Sequence, residues 1–183
     1  MPVTLPPAPD RPPLPSGSDG LAVLMARWPG ARTTRFGDSP ALSDRLLGLI
    51  RSGRKTATCG ALAHYRQEGE PVPQTGDVLI ALDHRDQPAL AYRLTDVSIC
   101  AFRDVPKDFA LAEGEGGFAD WRQGHIDYFQ RNGGFSDDMA LVCERFRLIW
   151  VAGPHGYLDN EEDSIRAARP EPINRGEPCF QKS

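Results

Sequence analysis

The segment Gly53-Arg54-Lys55-Thr56-Ala57-Thr58-Cys59-Gly60 sets an amine and a hydroxyl three residues apart between two glycines. A neutral lysine beside a threonine can take the hydroxyl proton and make a nucleophile of it, provided burial lowers the amine's pKa. Regular strand geometry sends such a pair to opposite faces, so a turn or bulge must bring them together, and the glycines permit one. The plainer reading is a helix end, with Arg54 and Lys55 complementing the dipole. A second constellation, Ala112-Glu113-Gly114-Glu115-Gly116-Gly117, alternates carboxylates with glycines just ahead of Trp121, His125 and Tyr128. Glu115 suits an acid or base, and Gly116-Gly117 would let a ligand approach the backbone. Its plainer reading is a flexible acidic loop that opens a helix. The rings of Trp121, His125 and Tyr128 either stack on a nucleobase or pack half-buried.

Other residues carry weaker signals. Ser136, in the run Phe135 to Met139, reads as a turn cap, with a nucleophile as the minor reading. Asp137 and Asp138 would hold a divalent ion only with a third ligand that the sequence does not place. Glu144 falls among apolar strand residues and, once buried, calls for an arginine such as Arg93 or Arg145. The chain has no G-x-S-x-G, no phosphate loop and no dinucleotide-binding glycine fingerprint.

These groups need elements to hold them. Leu21, Leu24, Met25 and Trp28 recur at helical spacing until Pro29-Gly30. Ser39-Pro40 is a cap followed by proline at the first helical position, Leu42, Leu46, Leu47 and Ile50 form one apolar face, and Gly53 ends the helix. A strand-poor loop leads to a strand over Val78–Leu82. The polar turn His84 to Gln87 then joins it to a partner from Ala89 to Cys100, which predicts a hairpin. Residues 102–117 mix loop and short helix, Phe118 to Arg131 turn helical, and Met139 to Val151 read as one long strand. Strands and helices do not alternate regularly, which favours an α+β fold, a small mixed barrel with peripheral helices, over a parallel sheet.

The chain has 183 residues, 21 basic against 25 acidic, for a formal charge of −4. That size suits one domain with a sizeable core. No apolar run is long enough for a membrane span, and the first residues lack the pattern of a signal peptide, so a cytoplasmic protein is expected. Cys59, Cys100, Cys143 and Cys179 lie too far apart for a zinc module or a disulfide scaffold. Residues 21–70 hold eight basic and four acidic side chains, +4 in a net-negative chain. A local basic face of this kind suits a small anionic ligand or a short single strand of RNA rather than long nucleic acid. Seven of the seventeen prolines fall in the first fifteen residues. The expected organisation is a Pro-rich disordered tail over 1–20, one domain over 21–152, and a charged extension over 153–183 with a short surface helix from Asp159 to Arg169.

Taken in order, FGDSP (36–40), SGRKTAT (52–58), EGEP and TGD (68–71, 75–77), EGEGG with Trp121 and His125 following, and DMALVCERF (138–146) resemble an ASCH-domain protein. The resemblance runs from Leu21 to Val151 and leaves both tails outside. It implies a PUA-like barrel and an RNA-related role. Small bacterial members of that family hydrolyse the acetyl amide on the exocyclic nitrogen of cytidine with a Lys, a Thr and a Glu. Those roles carry over to Lys55 and Thr58, and to Glu115 or, as the competing assignment, Glu113. Arg54, Glu113, Trp121, His125, Tyr128, Ser136 and Arg145 are the expected substrate-binding residues. The resemblance implies hydrolysis without metal or organic cofactor, on a modified nucleoside or short single-stranded RNA, with no protein partner inferable. Lys55→Ala is then expected to abolish turnover while the fold survives. The rival readings are RNA cleavage, with a divalent ion admitted at Asp137 and Asp138, and a non-catalytic RNA- or nucleotide-binding module.

Overall fold

The computed structural model describes residues 18–153. Residues 1–17 of the expected Pro-rich tail, the expected helix from Asp159 to Arg169, and Cys179 lie outside the described residues, while the last three residues of that expected tail, 18–20, open the first helix. The fold is α+β: a mixed five-stranded sheet curved into a half-barrel, with helices around it.

The chain begins with helix α1 (Ser18–Arg27), whose Leu24, followed by Trp28, is buried against one side of the sheet. Strand β1 (Arg32–Thr34) follows, then helix α2 (Pro40–Arg51), capped by the Ser39 hydroxyl, which accepts from Leu42 N–H. The apolar face of α2, with Leu49 added to the expected positions, packs on Phe36, Leu79, Tyr92 and Phe146. Gly53, at φ +71°, turns the chain out of α2, and the Arg54 and Lys55 amides both donate to Leu49 O. Strand β2 (Ala57–Ala61) and helix α3 (Leu62–Gln67) occupy the stretch expected to be a strand-poor loop. The small residues of β2 give little propensity signal; pairing with a long neighbour makes it a strand.

The expected hairpin is present as β3 (Val78–Leu82) and β4 (Pro88–Ala101). A short 3₁₀ turn and helix α4 (Lys107–Ala112) lead to helix α5 (Phe118–Arg131), and strand β5 (Ala140–Val151) closes the order. The sheet runs β1-β3-β4-β5-β2, with β1–β3 parallel and the other pairs antiparallel. The edge strands β1 and β2 therefore flank the seam where the half-barrel stays open. A second core lies beneath α4 and α5, where Phe102, Phe109, Trp121 and Phe129 pack on Ala57, Ala61 and Leu141. Among the described residues no helix is long and apolar enough to cross a membrane.

Candidate active site

Lys55 sits in the turn between α2 and β2, and the backbone of the next residue, Thr56, is clamped from both sides. Thr56 N–H donates to Ala112 O at 2.8 Å, and Phe146 N–H donates to Thr56 O at 2.9 Å. The clamp draws the α4–α5 loop against residues 54–56. Gly114 makes that approach possible: at φ +70°, a Cβ there would lie 2.3 Å from Arg54 O. The same turn throws Glu113 and Glu115 to either side of the lysine.

The Lys55 ammonium donates to Glu113 Oε2 at 2.7 Å and to Glu115 Oε1 at 2.9 Å. Lys55 is 2 % exposed and Glu113 1 %. Glu113 is fully engaged, since Trp121 Nε1–H donates to its other oxygen at 3.0 Å and His125 Nε2 lies 3.6 Å from that oxygen. A carbonyl can only accept, so His125 Nδ1 carries a hydrogen that it donates to Trp121 O at 2.9 Å. Glu115 differs, keeping part of its side chain open to solvent.

Electrostatics follow from this packing. Burial by itself disfavours the Lys55 ammonium, but Glu113 and then Glu115 outweigh it and hold the pKa above its ordinary value. The sequence-based requirement that burial lower the Lys55 pKa is therefore not met. Burial likewise opposes the Glu113 carboxylate, and the charge of Lys55, with His125 next, still carries its pKa below the usual carboxylate range. The Cys59 thiol is pushed well up by burial and by Glu113, which makes it a poor nucleophile.

Above this ion triad opens a pocket of about 410 Å³, lined by Lys55, Thr58, Glu113, Glu115, His125 and Tyr128 together with residues of all five strands. Along β2, Ala57, Cys59 and Ala61 face the core beneath α5, while Thr58 and Gly60 face the inside of the half-barrel. The turn at Lys55 brings amine and hydroxyl to one pocket. Among the described residues, however, the amine is hydrogen-bonded to the two glutamates and not to Thr58. Opposite Thr58 in the ladder stands Glu144 of β5.

Glu144 is 3 % exposed and lines the pocket. The expected arginine is not its partner: Arg145 Nη2 binds Asp108 at 2.6 Å, Arg93 donates to Gly76 O, and the Tyr65 hydroxyl donates to Glu144 Oε1 at 3.0 Å. Burial pushes the Glu144 pKa up to about 7, with Glu113 and Asp77 adding to it and the Tyr65 hydrogen bond and Arg32 opposing. The sequence marked Glu144 as a buried carboxylate but did not link it to the site. Tyr65 went unnoticed because its helix did.

Of the residues expected to bind substrate, Glu113, His125 and Tyr128 line the pocket; Arg54, Trp121, Ser136 and Arg145 do not. Arg54 is exposed and donates to Ser52. Trp121 is wholly buried, stacked on Phe102, and acts on the site through Glu113. Arg145 lies over Phe109. Ser136 has its turn role, accepting from Asp138 N–H. Asp137 and Asp138 are paired with Arg122 and Arg103 respectively, so their charges are already met without an ion.

Comparison with known proteins covers the same region. A family model described as the ASCH domain matches residues 32–150. Two crystal structures are similar to the fold, each with a TM-score of 0.61. An ASCH domain from Lactobacillus crispatus is 29 % identical over 69 % of this chain and 84 % of that one. A protein from Enterococcus faecalis is 33 % identical over 72 % of this chain and 91 % of that one. No curated protein matches the sequence.

Proposed function

The chain belongs to the ASCH-domain family, which is associated with RNA-related activity, and from that premise we propose that its pocket hydrolyses the amide of a pyrimidine nucleoside acylated on the exocyclic nitrogen. The observation that carries this reading is the buried Lys55 ammonium, held between a sequestered carboxylate and a pocket-facing one, in a cavity that Thr58 shares.

The division of labour follows from exposure. Glu113, buried and met by Lys55 and Trp121, positions the lysine. Glu115, open to the pocket, takes a proton from Lys55 along their 2.9 Å hydrogen bond. The amine so freed takes the Thr58 hydroxyl proton as Oγ attacks the acyl carbon. Collapse of the tetrahedral adduct breaks the carbon–nitrogen bond, and the departing amine receives its proton from Lys55. Water then cleaves the threonyl ester by the same relay, giving a carboxylic acid and restoring Thr58. Proton transfer within the triad thus supplies the neutral amine that its resting electrostatics withhold. No metal or organic cofactor enters these steps.

The test incubates the protein with acetylcytidine acylated on its exocyclic nitrogen and, separately, with a labelled single-stranded RNA, each with and without EDTA, followed by product chromatography. Cytidine release indifferent to EDTA is the expected result. Shortened RNA without cytidine release would replace this reading with strand cleavage, and no change in either substrate would replace it with a binding module.

A further inference from the structure

The pocket contains a second polar centre, on β5, that the relay does not use. Glu144 faces Thr58 across the β2–β5 ladder, so the two side chains project from one face about 5 Å apart at their Cβ atoms. One Glu144 oxygen accepts from Tyr65 on α3. The other has no protein donor among the described residues, in a side chain that lines the cavity. That second oxygen is not among the fully buried polar atoms, so it is open to a ligand in the cavity. Phe36, Tyr92 and Tyr128 line the same space and give it aromatic walls that suit a planar heterocycle.

We propose that Glu144 is the base-reading residue of the pocket: in its neutral form it donates a hydrogen bond to an acceptor on the edge of a pyrimidine, the ring nitrogen or the adjacent carbonyl, while Tyr65 holds the carboxyl in place. The inference rests on the nucleoside reading above and adds to it the contact that selects the base. An ionised Glu144 would present only acceptors to an acceptor edge, so ligand binding requires the proton.

The groups facing this carboxyl are Tyr65 of α3, Arg32 of β1, Tyr92 of β4, Asp77 ahead of β3 and Glu113 after α4. Their balance with burial keeps Glu144 titrating near neutrality, so the contact is pH-dependent in the working range. The Tyr65 hydrogen bond favours the ionised form, and its loss moves the transition to higher pH.

Calorimetric binding of cytidine, the reaction product, tests this from pH 5.5 to 8.5 in the wild type, Glu144→Gln and Tyr65→Phe. Wild-type affinity is expected to hold at low pH and to fall towards tenfold per pH unit above about pH 7. Glu144→Gln, which keeps a donor and cannot ionise, is expected to flatten that limb. Tyr65→Phe is expected to shift it upward. A wild type with pH-independent affinity, a Glu144→Gln variant that keeps the wild-type limb, or no cytidine binding at any pH would overturn the proposal. The same three proteins assayed for acetylcytidine turnover separate the two claims. Binding with the expected limb but no turnover would sink the hydrolase reading alone. Turnover whose pH profile Glu144→Gln leaves unchanged would sink the base-reading role alone.

Discussion

Lys55 illustrates how a buried charge serves a site without adding much to stability. Removing an ammonium from water costs several kcal/mol, and the two glutamates recover that cost only while both remain in place. Replacing Lys55 by alanine leaves Glu113 buried with only the His125 ring, 3.6 Å away, in place of the ammonium, so Lys55→Ala is expected to cost stability as well as turnover. Lys55→Met is expected to lose about 3–5 kcal/mol in denaturant unfolding, with Glu113→Gln in the same chain restoring a large part of it. Equal stability for the single and double variants would show that Glu113 does not carry the charge on which this pairing depends. The sequence pointed to Lys55 and to both glutamates by residue type. Which carboxylate is sequestered could be learned only from the position of Trp121, because burial, not spacing, distinguishes Glu113 from Glu115.

At the scale of elements, the site is made by one close approach. The α4–α5 loop reaches the turn after α2 only because Gly114 lacks a Cβ, and Thr56 and Ala112 fasten the contact. Gly114→Ala meets both a backbone oxygen at 2.3 Å and an unfavourable positive φ, a combination that costs on the order of 1–3 kcal/mol. The loop should retreat and separate Glu115 from Lys55. Turnover is expected to fall at least tenfold while the two-state unfolding transition persists at a lower midpoint. Unchanged activity and midpoint would mean that the loop is not held as described. Helices with strong punctuation were legible in advance: α2 by Ser39-Pro40 and Gly53, and α5 by its apolar stripe. The short elements β1, β2 and α3 were not, because their residues carry little intrinsic preference and are shaped by partners distant in sequence. That is also why Tyr65 and its bond to Glu144 escaped the sequence reading.

Across the whole molecule, the half-barrel leaves β1 and β2 unpaired with each other, and the pocket lies at that seam with α2, α3 and α5 around it. The basic excess of residues 21–70 is only partly available there. Arg35, Arg45 and Lys55 line the cavity, but Arg35 is paired with Asp86 and Lys55 with two glutamates. Arg131, also at the rim, binds Asp38. This arrangement favours a small ligand read by shape and hydrogen bonds over a long polyanion held by counterion release. The α+β class and the barrel-like mixed sheet were legible from irregular alternation and the hairpin. The seam was not, since it depends on strand order, which no local pattern encodes. Thr58 offers the most direct measurement, because it shares the cavity yet stands outside the ion triad, so its hydroxyl can be removed with the triad left in place. Acetylcytidine hydrolysis by wild type and Thr58→Ala, compared at equal enzyme with thermal midpoints as the folding control, should show turnover lost by at least about a hundredfold at an unchanged midpoint. Hydrolysis by Thr58→Ala at the wild-type rate would contradict nucleophilic attack by this residue.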